Sequence, residues 1–386
     1  MSTQAAVVAK GQEHWTKKGD VKIFLWEKRA VTSSRDRQNA EQGPRSRGCD
    51  GGADHERVAA DPSRVSGVRS PEGPLFRPTT RPASGDATVE ARPPTESSSH
   101  QTATNHLREG TAVKPVRGTV LFVHGSSMAS TPTFDLQVPG RPYSSAMDYF
   151  ASQGYDTWCF DMEGYGRSDK KRPINCDIAN GADDTAAASD YIMKTRGVKN
   201  FLVYGISSGA LRAAMFAERH PERVARLALD AFVWTGEGSP TLDERKKKLP
   251  QFLNINRRPI DRAFMHSIFE RDHAACAEKK VVEVFADAVL ALDDSVPTGT
   301  YVDMCSKLPV VDPAKITVPS LIMRGQFDGI AGFDDLVEFF RRLPNPDKQF
   351  IVMSGISHAS FQQINYEMVY HILLSFFSQP EPIYRA

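Results

Sequence analysis

The apolar residues of this chain fall into short, regularly spaced blocks, and two long stretches break that rhythm. In GDVKIFLWEKR (19–29), Val21, Ile23 and Leu25 alternate with Phe24 and Trp26 on the other face, which predicts a strand entered from a turn at Gly19-Asp20. TVLFVHG (119–125) is a continuous apolar run closed by a glycine turn, the pattern of a strand buried on both faces. TWCFDMEG (157–164), NFLVYG (200–205), RVARLALDAFVW (223–234), PSLIMRG (319–325) and QFIVMSG (349–355) predict further strands. Helical patterns lie between them, near 143–153, over 181–195 and 208–219 (stopped by His220-Pro221), over 333–342, and from about 361 to 377. Strand and helix alternate strictly, so the fold class is α/β: right-handed βαβ units building a mostly parallel central sheet with helices on both faces.

The first break runs from about Val31 to Lys114. It is rich in Arg, Ser, Pro, Gly, Thr, Asp and Glu, has no period, and is too polar to offset its ordering entropy by burial. Residues 31–115 therefore read as a disordered insertion, either genuine or foreign to the fold, that separates the strand region 1–30 from the rest. If foreign, it would threaten the pairing of the first strand. The second break, 235–318, is charged and helix-rich, with an apolar helical run at 281–292. It divides the core into 116–234 and 319–386 and predicts a helical cap over the sheet's C-terminal edge, where ligands bind in such folds. Its KKK at 246–248 reads as a solvated helix face.

Composition narrows the partners. Forty-eight basic against 47 acidic residues leave a net charge of +1, which offers no electrostatic basis for nucleic acid or an anionic membrane surface. No apolar run reaches the roughly 18 residues of a membrane span, and MSTQAAVVAKGQEHW lacks a secretory pattern. Five scattered cysteines (Cys49, Cys159, Cys176, Cys276, Cys305) form no C-x-x-C pair, so neither a zinc site nor a disulfide framework is expected. These features place the chain in the cytoplasm, without cofactor or metal; its oligomeric state is open.

Candidate chemistry centres on Gly205-Ile206-Ser207-Ser208-Gly209, a G-x-S-x-G motif between a predicted buried strand and a predicted helix. A serine hydroxyl needs a base to act as a nucleophile at neutral pH. Of ten histidines, His358 in SGISHASF follows the last strand, at the sheet edge that carries Ser207. His266, His273 and His371 sit inside helical stretches, His106 in the polar segment and His220 at a helix end. The base needs a carboxylate to hold its tautomer. Asp328 in MRGQFDGI is favoured, and Asp230, ending the strand after the motif's helix, is the rival. The backbone N–H groups of Ser126 and Ser208 are the expected oxyanion donors, with His124 bracing the Ser126 turn. Trp234, Phe252, Phe264 and Met265 are candidate pocket residues.

VLFVHGSS, FDMEGYGRSD, YGISSGA, RGQFDG and SGISHAS, in this order, resemble the α/β-hydrolase superfamily, and D-x-x-G-x-G-x-S is met by Asp161, Gly164, Gly166 and Ser168. The resemblance covers about 116–386 and the strand near 19–29. Within the superfamily it is nearest to serine carboxylesterases and lysophospholipase-like enzymes with an inserted cap. It implies hydrolysis of a small, apolar carboxylic ester through Ser207, His358 and Asp328. The same triad also serves lactone opening, carbon–carbon hydrolysis or acyl transfer, and a non-catalytic binding protein is the alternative from another class.

Overall fold

The apolar runs form an eight-stranded sheet in a computed structural model that describes residues 10–29 and 116–383. Its strands are β1 (Gln12–Lys18), β2 (Val21–Arg29), β3 (Thr119–Val123), β4 (Asp156–Asp161), β5 (Phe201–Ile206), β6 (Val224–Asp230), β9 (Ser320–Gly325) and β10 (Lys348–Met353). A separate ribbon pairs β7 (Arg257–Pro259) with β8 (Ser295–Pro297). The sheet order is β1-β2-β4-β3-β5-β6-β9-β10, and every pair from β4 to β10 is parallel. β3 shows why: Val120 and Phe122 enter one core while Leu121 and Val123 enter the other, and none is exposed.

Helices cover both faces. In chain order they are α1 (Ser130–Phe134), α2 (Ala146–Ser152), α3 (Ile178–Arg196), α4 (Ser208–Arg219), α5 (Pro240–Lys246), α6 (Leu249–Leu253), α7 (Arg262–His273), α8 (Lys279–Leu290), α9 (Gly299–Ser306), α10 (Phe333–Arg342) and α11 (Tyr366–Phe377). α3, α4 and α10 pack on one face through Ile192, Leu211 and Phe339; α2 and α11 pack on the other through Phe150 and Tyr370. α5 to α9 and the β7–β8 ribbon fall between β6 and β9, the stretch read as a helical insertion. Lys246, Lys247 and Lys248 are exposed there, as a solvated face requires.

Three readings are corrected. β1 was not foreseen, because it is an edge strand whose only fully buried side chain is His14, so QEHWTKK shows no apolar alternation. It pairs antiparallel with β2 through the turn at Gly19, whose φ of 57° suits the first position of a two-residue hairpin turn. β6 stops at Asp230 instead of continuing to Trp234, because Ala231 takes a φ of 55° and turns the chain. α11 begins at Tyr366, with only a short 3-10 turn at Ser360–Gln362 before it.

The insertion read at 31–115 lies outside the described residues. The strand before it is in place: β2 pairs antiparallel with β4 from Phe24↔Asp161 to Arg29↔Asp156. No helix among the described residues is long and apolar enough to cross a membrane.

Backbone packs tightly on backbone where α4 leaves β5. A Cβ on Gly209 would stand 2.3 Å from the carbonyl oxygen of Val123 and 2.4 Å from that of His124. Neither backbone group can yield without moving β3. Gly209→Ala should therefore lower unfolding stability by about 1–3 kcal/mol, the usual cost of overpacking. Thermal or urea denaturation measures it, and an unchanged midpoint would refute the close approach.

Candidate active site

Ser207 sits at a sharp bend between β5 and α4, with φ 58° and ψ −131°. A non-glycine residue there carries strain on the order of 1–3 kcal/mol, so its surroundings must hold it. They do. The Ser207 N–H donates to the Asp230 carbonyl (2.9 Å), and the Ala210 N–H to the Ser207 carbonyl (3.0 Å). The glycines of the motif admit the turn: a Cβ on Gly205 would meet the Gly209 carbonyl at 2.6 Å and Ala210 Cα at 2.8 Å.

The loops after β9 and β10 deliver the partners to the same edge. They are laced together by Gln326 N–H on Met353 O and Phe327 N–H on Ile356 O, both 2.9 Å. His358 Nε2 lies 3.0 Å from Ser207 Oγ. His358 Nδ1 lies 3.1 and 3.2 Å from the two oxygens of Asp328, which is buried and also accepts from the Ile330 and Ala331 N–H groups at 2.8 and 3.2 Å. Burial would raise the Asp328 carboxyl. The imidazole's charge and hydrogen bond, with the two N–H groups, outweigh it and hold the carboxyl at about 2.

Asp230 occupies the adjoining strand end but turns elsewhere, accepting from the Tyr204 hydroxyl at 2.7 Å. Burial pushes its carboxyl up to about 7 against that hydrogen bond, and the charge of Asp328 adds to the rise. Of the two carboxylates weighed from the sequence, Asp328 is the one at hydrogen-bonding distance from His358.

The turn after β3 faces the serine: a Cβ on Gly125 would come within 3.3 Å of Ser207 Cβ. The Ser126 carbonyl is held from behind by the Tyr165 hydroxyl (3.2 Å) and by Arg258 Nη2 (3.4 Å), while its N–H donates to no acceptor among the described residues. His124 braces this turn. Its Nδ1 donates to the Gly125 carbonyl at 2.8 Å and its Nε2 accepts from the Met162 N–H at 3.0 Å. Burial, helped by the charge of Arg212, lowers its pKa to about 3, so it stays neutral. The D-x-x-G-x-G-x-S motif forms a neighbouring clasp: Asp161 accepts from Ser130 N–H (2.8 Å), Ser130 Oγ (2.6 Å) and Arg167 N–H (2.8 Å). Ser168 in turn receives the Phe24 N–H of β2 at 2.9 Å.

A narrow cavity of about 40 Å³ opens beside Ser207 and His358. Phe264 lines it, as the sequence indicated, with Ile268 and Phe285. The other candidate pocket residues do not. Trp234 donates its indole N–H to Val311, Met265 is fully buried, and Phe252 packs edge-on against Tyr301. Arg245 and Arg271, which also line the cavity, were missed. A usable signal existed for one: Phe264, Ile268 and Arg271 follow i, i+4, i+7 along α7, so the arginine continues an apolar stripe.

Comparison with known proteins places the fold. A proline iminopeptidase of Neisseria meningitidis serogroup A is 27% identical over 170 residues, 41% of this chain and 50% of that protein. The chain thus spans about half the length of the curated relatives it matches. A thermophilic esterase from Thermogutta terrifontis (19% identity, TM-score 0.50) covers 69% of this chain and 95% of its own. A monoacylglycerol lipase from Paleococcus ferrophilus (18% identity, TM-score 0.52) covers 68% and 95%. Both likenesses show the fold. Residues 114–364, more than half of the chain, match the family described as serine aminopeptidase, S33, and the chain belongs to this family of α/β-hydrolases.

Proposed function

We propose that this protein is a serine hydrolase acting on carboxylic esters, with Ser207 as nucleophile, His358 as general base and acid, and Asp328 as the group that orients His358. The observation that carries the reading is the continuous hydrogen-bonded path from Ser207 Oγ through both nitrogens of His358 to the buried Asp328. In this reading 235–318 is a cap closing the pocket over a core formed by 1–30, 116–234 and 319–386.

Ser207 Oγ attacks the ester carbonyl carbon while His358 Nε2 takes its proton. Asp328, ionised above about pH 2, stabilises the imidazolium. The carbonyl oxygen becomes an oxyanion against the N–H groups of Ser126 and Ser208. The C–O bond then breaks, and His358 returns the proton to the departing alcohol. Water, deprotonated by His358, attacks the acyl-enzyme and releases the acid and free Ser207. The family description also favours an aminopeptidase. That activity calls for an anionic partner to the substrate's ammonium group, whereas the charged residues lining this cavity are arginines, with no carboxylate among them.

Ser207→Ala should reduce turnover of a p-nitrophenyl ester on the order of 10⁵-fold or more with circular dichroism unchanged; retained turnover would overturn the assignment. Asp328→Asn should cost about 10⁴ in kcat by disturbing the His358 tautomer, and Asp230→Asn less than tenfold; reversal of that order would make Asp230 the orienting acid.

Asp230 also predicts a pH effect on stability. Its folded pKa of about 7 lies above the ordinary aspartate value of 3.8, so the folded state keeps a proton that the unfolded chain releases. Its contribution is therefore present below about pH 4 and is lost as pH rises toward 7. Asp230→Asn should gain in melting temperature relative to the parent across that interval. A pH-independent difference would rule this out.

A further inference from the structure

Three guanidinium groups converge on the cap side of the cavity. Arg245 of α5 and Arg271 of α7 line it, and Arg258 of β7 stands behind them. Arg245 and Arg258 both lie over the ring of Tyr301, at 4.4 and 4.1 Å from its centroid. Arg258 is 6% exposed; its Nη2 donates to Ser127 Oγ at 2.7 Å and to the Ser126 carbonyl, and its Nε has no partner. Arg271 Nε faces Asp272 at 3.3 Å, while one of its terminal nitrogens is buried without a partner.

The charges do not balance. Asp272 is the only carboxylate paired with the three arginines among the described residues, and it touches Arg271 alone. Burial lowers the Arg245 pKa, Tyr301 opposes this, and Arg271 and Arg258 add their repulsion. For Tyr301, burial would raise the phenol, but Arg245, Arg258, the Ser127 hydrogen bond and Arg271 bring it down to about 8, so it is mostly neutral at pH 7. Arg258 is buried and Arg245 and Arg271 are half-buried, and like charges gathered with so little water around them favour a counter-charge with hydrogen-bonding capacity. A guanidinium fork matches a carboxylate, and a narrow cavity suits this small planar group.

We propose that the substrate carries a free carboxylate in addition to its ester, and that Arg245 and Arg271, backed by Arg258, bind that carboxylate while Ser207 attacks the ester carbonyl. The inference rests on the hydrolase reading above and replaces the neutral, apolar substrate expected from sequence with a half-ester or an ester of a hydroxy acid. Phe264, Ile268 and Phe285 would then pack the carbon chain between the two groups.

Two matched ester pairs test it. Mono-p-nitrophenyl glutarate is compared with its terminal amide, placing the charge on the acyl side. The butyryl ester of 3-hydroxybenzoate is compared with that of 3-hydroxybenzamide, placing it on the alcohol side. The anionic member of at least one pair should exceed its amide twin tenfold or more in kcat/KM, and the pair that responds locates the carboxylate. Arg245→Gln and Arg271→Gln, checked for folding by melting temperature, should each bring that ratio toward one. The wild-type comparison needs no variant. Labelling of Ser207 by an uncharged fluorophosphonate tests the hydrolase reading separately. An enzyme that labels yet favours neither anionic ester overturns the carboxylate proposal alone, and one that does not label overturns both.

Discussion

The site depends on how closely the N-terminus of α4 approaches the end of β3. Gly209 presses against the Val123 and His124 carbonyls, and Gly205 against the first turn of the helix. The chain passes through this contact by the bend at Ser207, with its positive φ, and a side chain at position 205 or 209 would collide with the backbone opposite. The contact also brings the turn at Gly125 against the serine, where a Cβ on Gly125 would stand 3.3 Å from Ser207 Cβ. A stored conformational cost is tolerable here because hydrogen bonds lock the bend on both sides, one to the end of β6 at Asp230 and one from the first turn of α4 at Ala210.

Around this point the protein uses burial to give similar groups different characters. Asp230 ends β6, Asp328 lies in the loop after its neighbour β9, and both are buried, yet Asp328 is held near 2 and Asp230 near 7. The difference lies in what each faces: an imidazole and two backbone donors, or one phenol. Two histidines diverge in the same way. His124 has both nitrogens committed to backbone groups, whereas His358 spends one on Asp328 and presents the other to Ser207. Residue type alone does not assign a role; the second hydrogen-bond partner does.

Much of this was legible in the sequence because parallel strands buried on both faces leave continuous apolar runs, and the residues that follow them must lie on one edge. Ser207 and Asp328 follow such runs, and His358 follows the apolar QFIVM of the half-exposed edge strand β10. Ser207 and His358 could therefore be placed on one edge from order alone, while the acid stayed open between Asp328 and Asp230. β1 was not legible, since an edge strand with one buried side chain has no hydrophobic period to detect. The cap arginines were hidden for another reason. An arginine beside KKK or within a charged helix reads as solvated, and only tertiary packing turns Arg245 and Arg271 inward. Pocket chemistry assembled from α5, β7 and α7 leaves little local signature, the place of Arg271 on the Phe264–Ile268 stripe excepted, whereas chemistry at strand ends leaves a clear one.

The pairing of β2 has a further consequence. Its last residue, Arg29, pairs with Asp156, and Asp156 also pairs with Thr119, the first residue of β3. The chain therefore departs and returns on either side of a single residue, two strand spacings apart, about 10 Å. This doorway lies on the rim where the parallel strands begin, and Ser207 lies on the rim where they end. Closing a longer detour between two such neighbouring points costs only logarithmically more. The pairing of β2 and β3 with β4 therefore constrains the length of the connection between them only weakly.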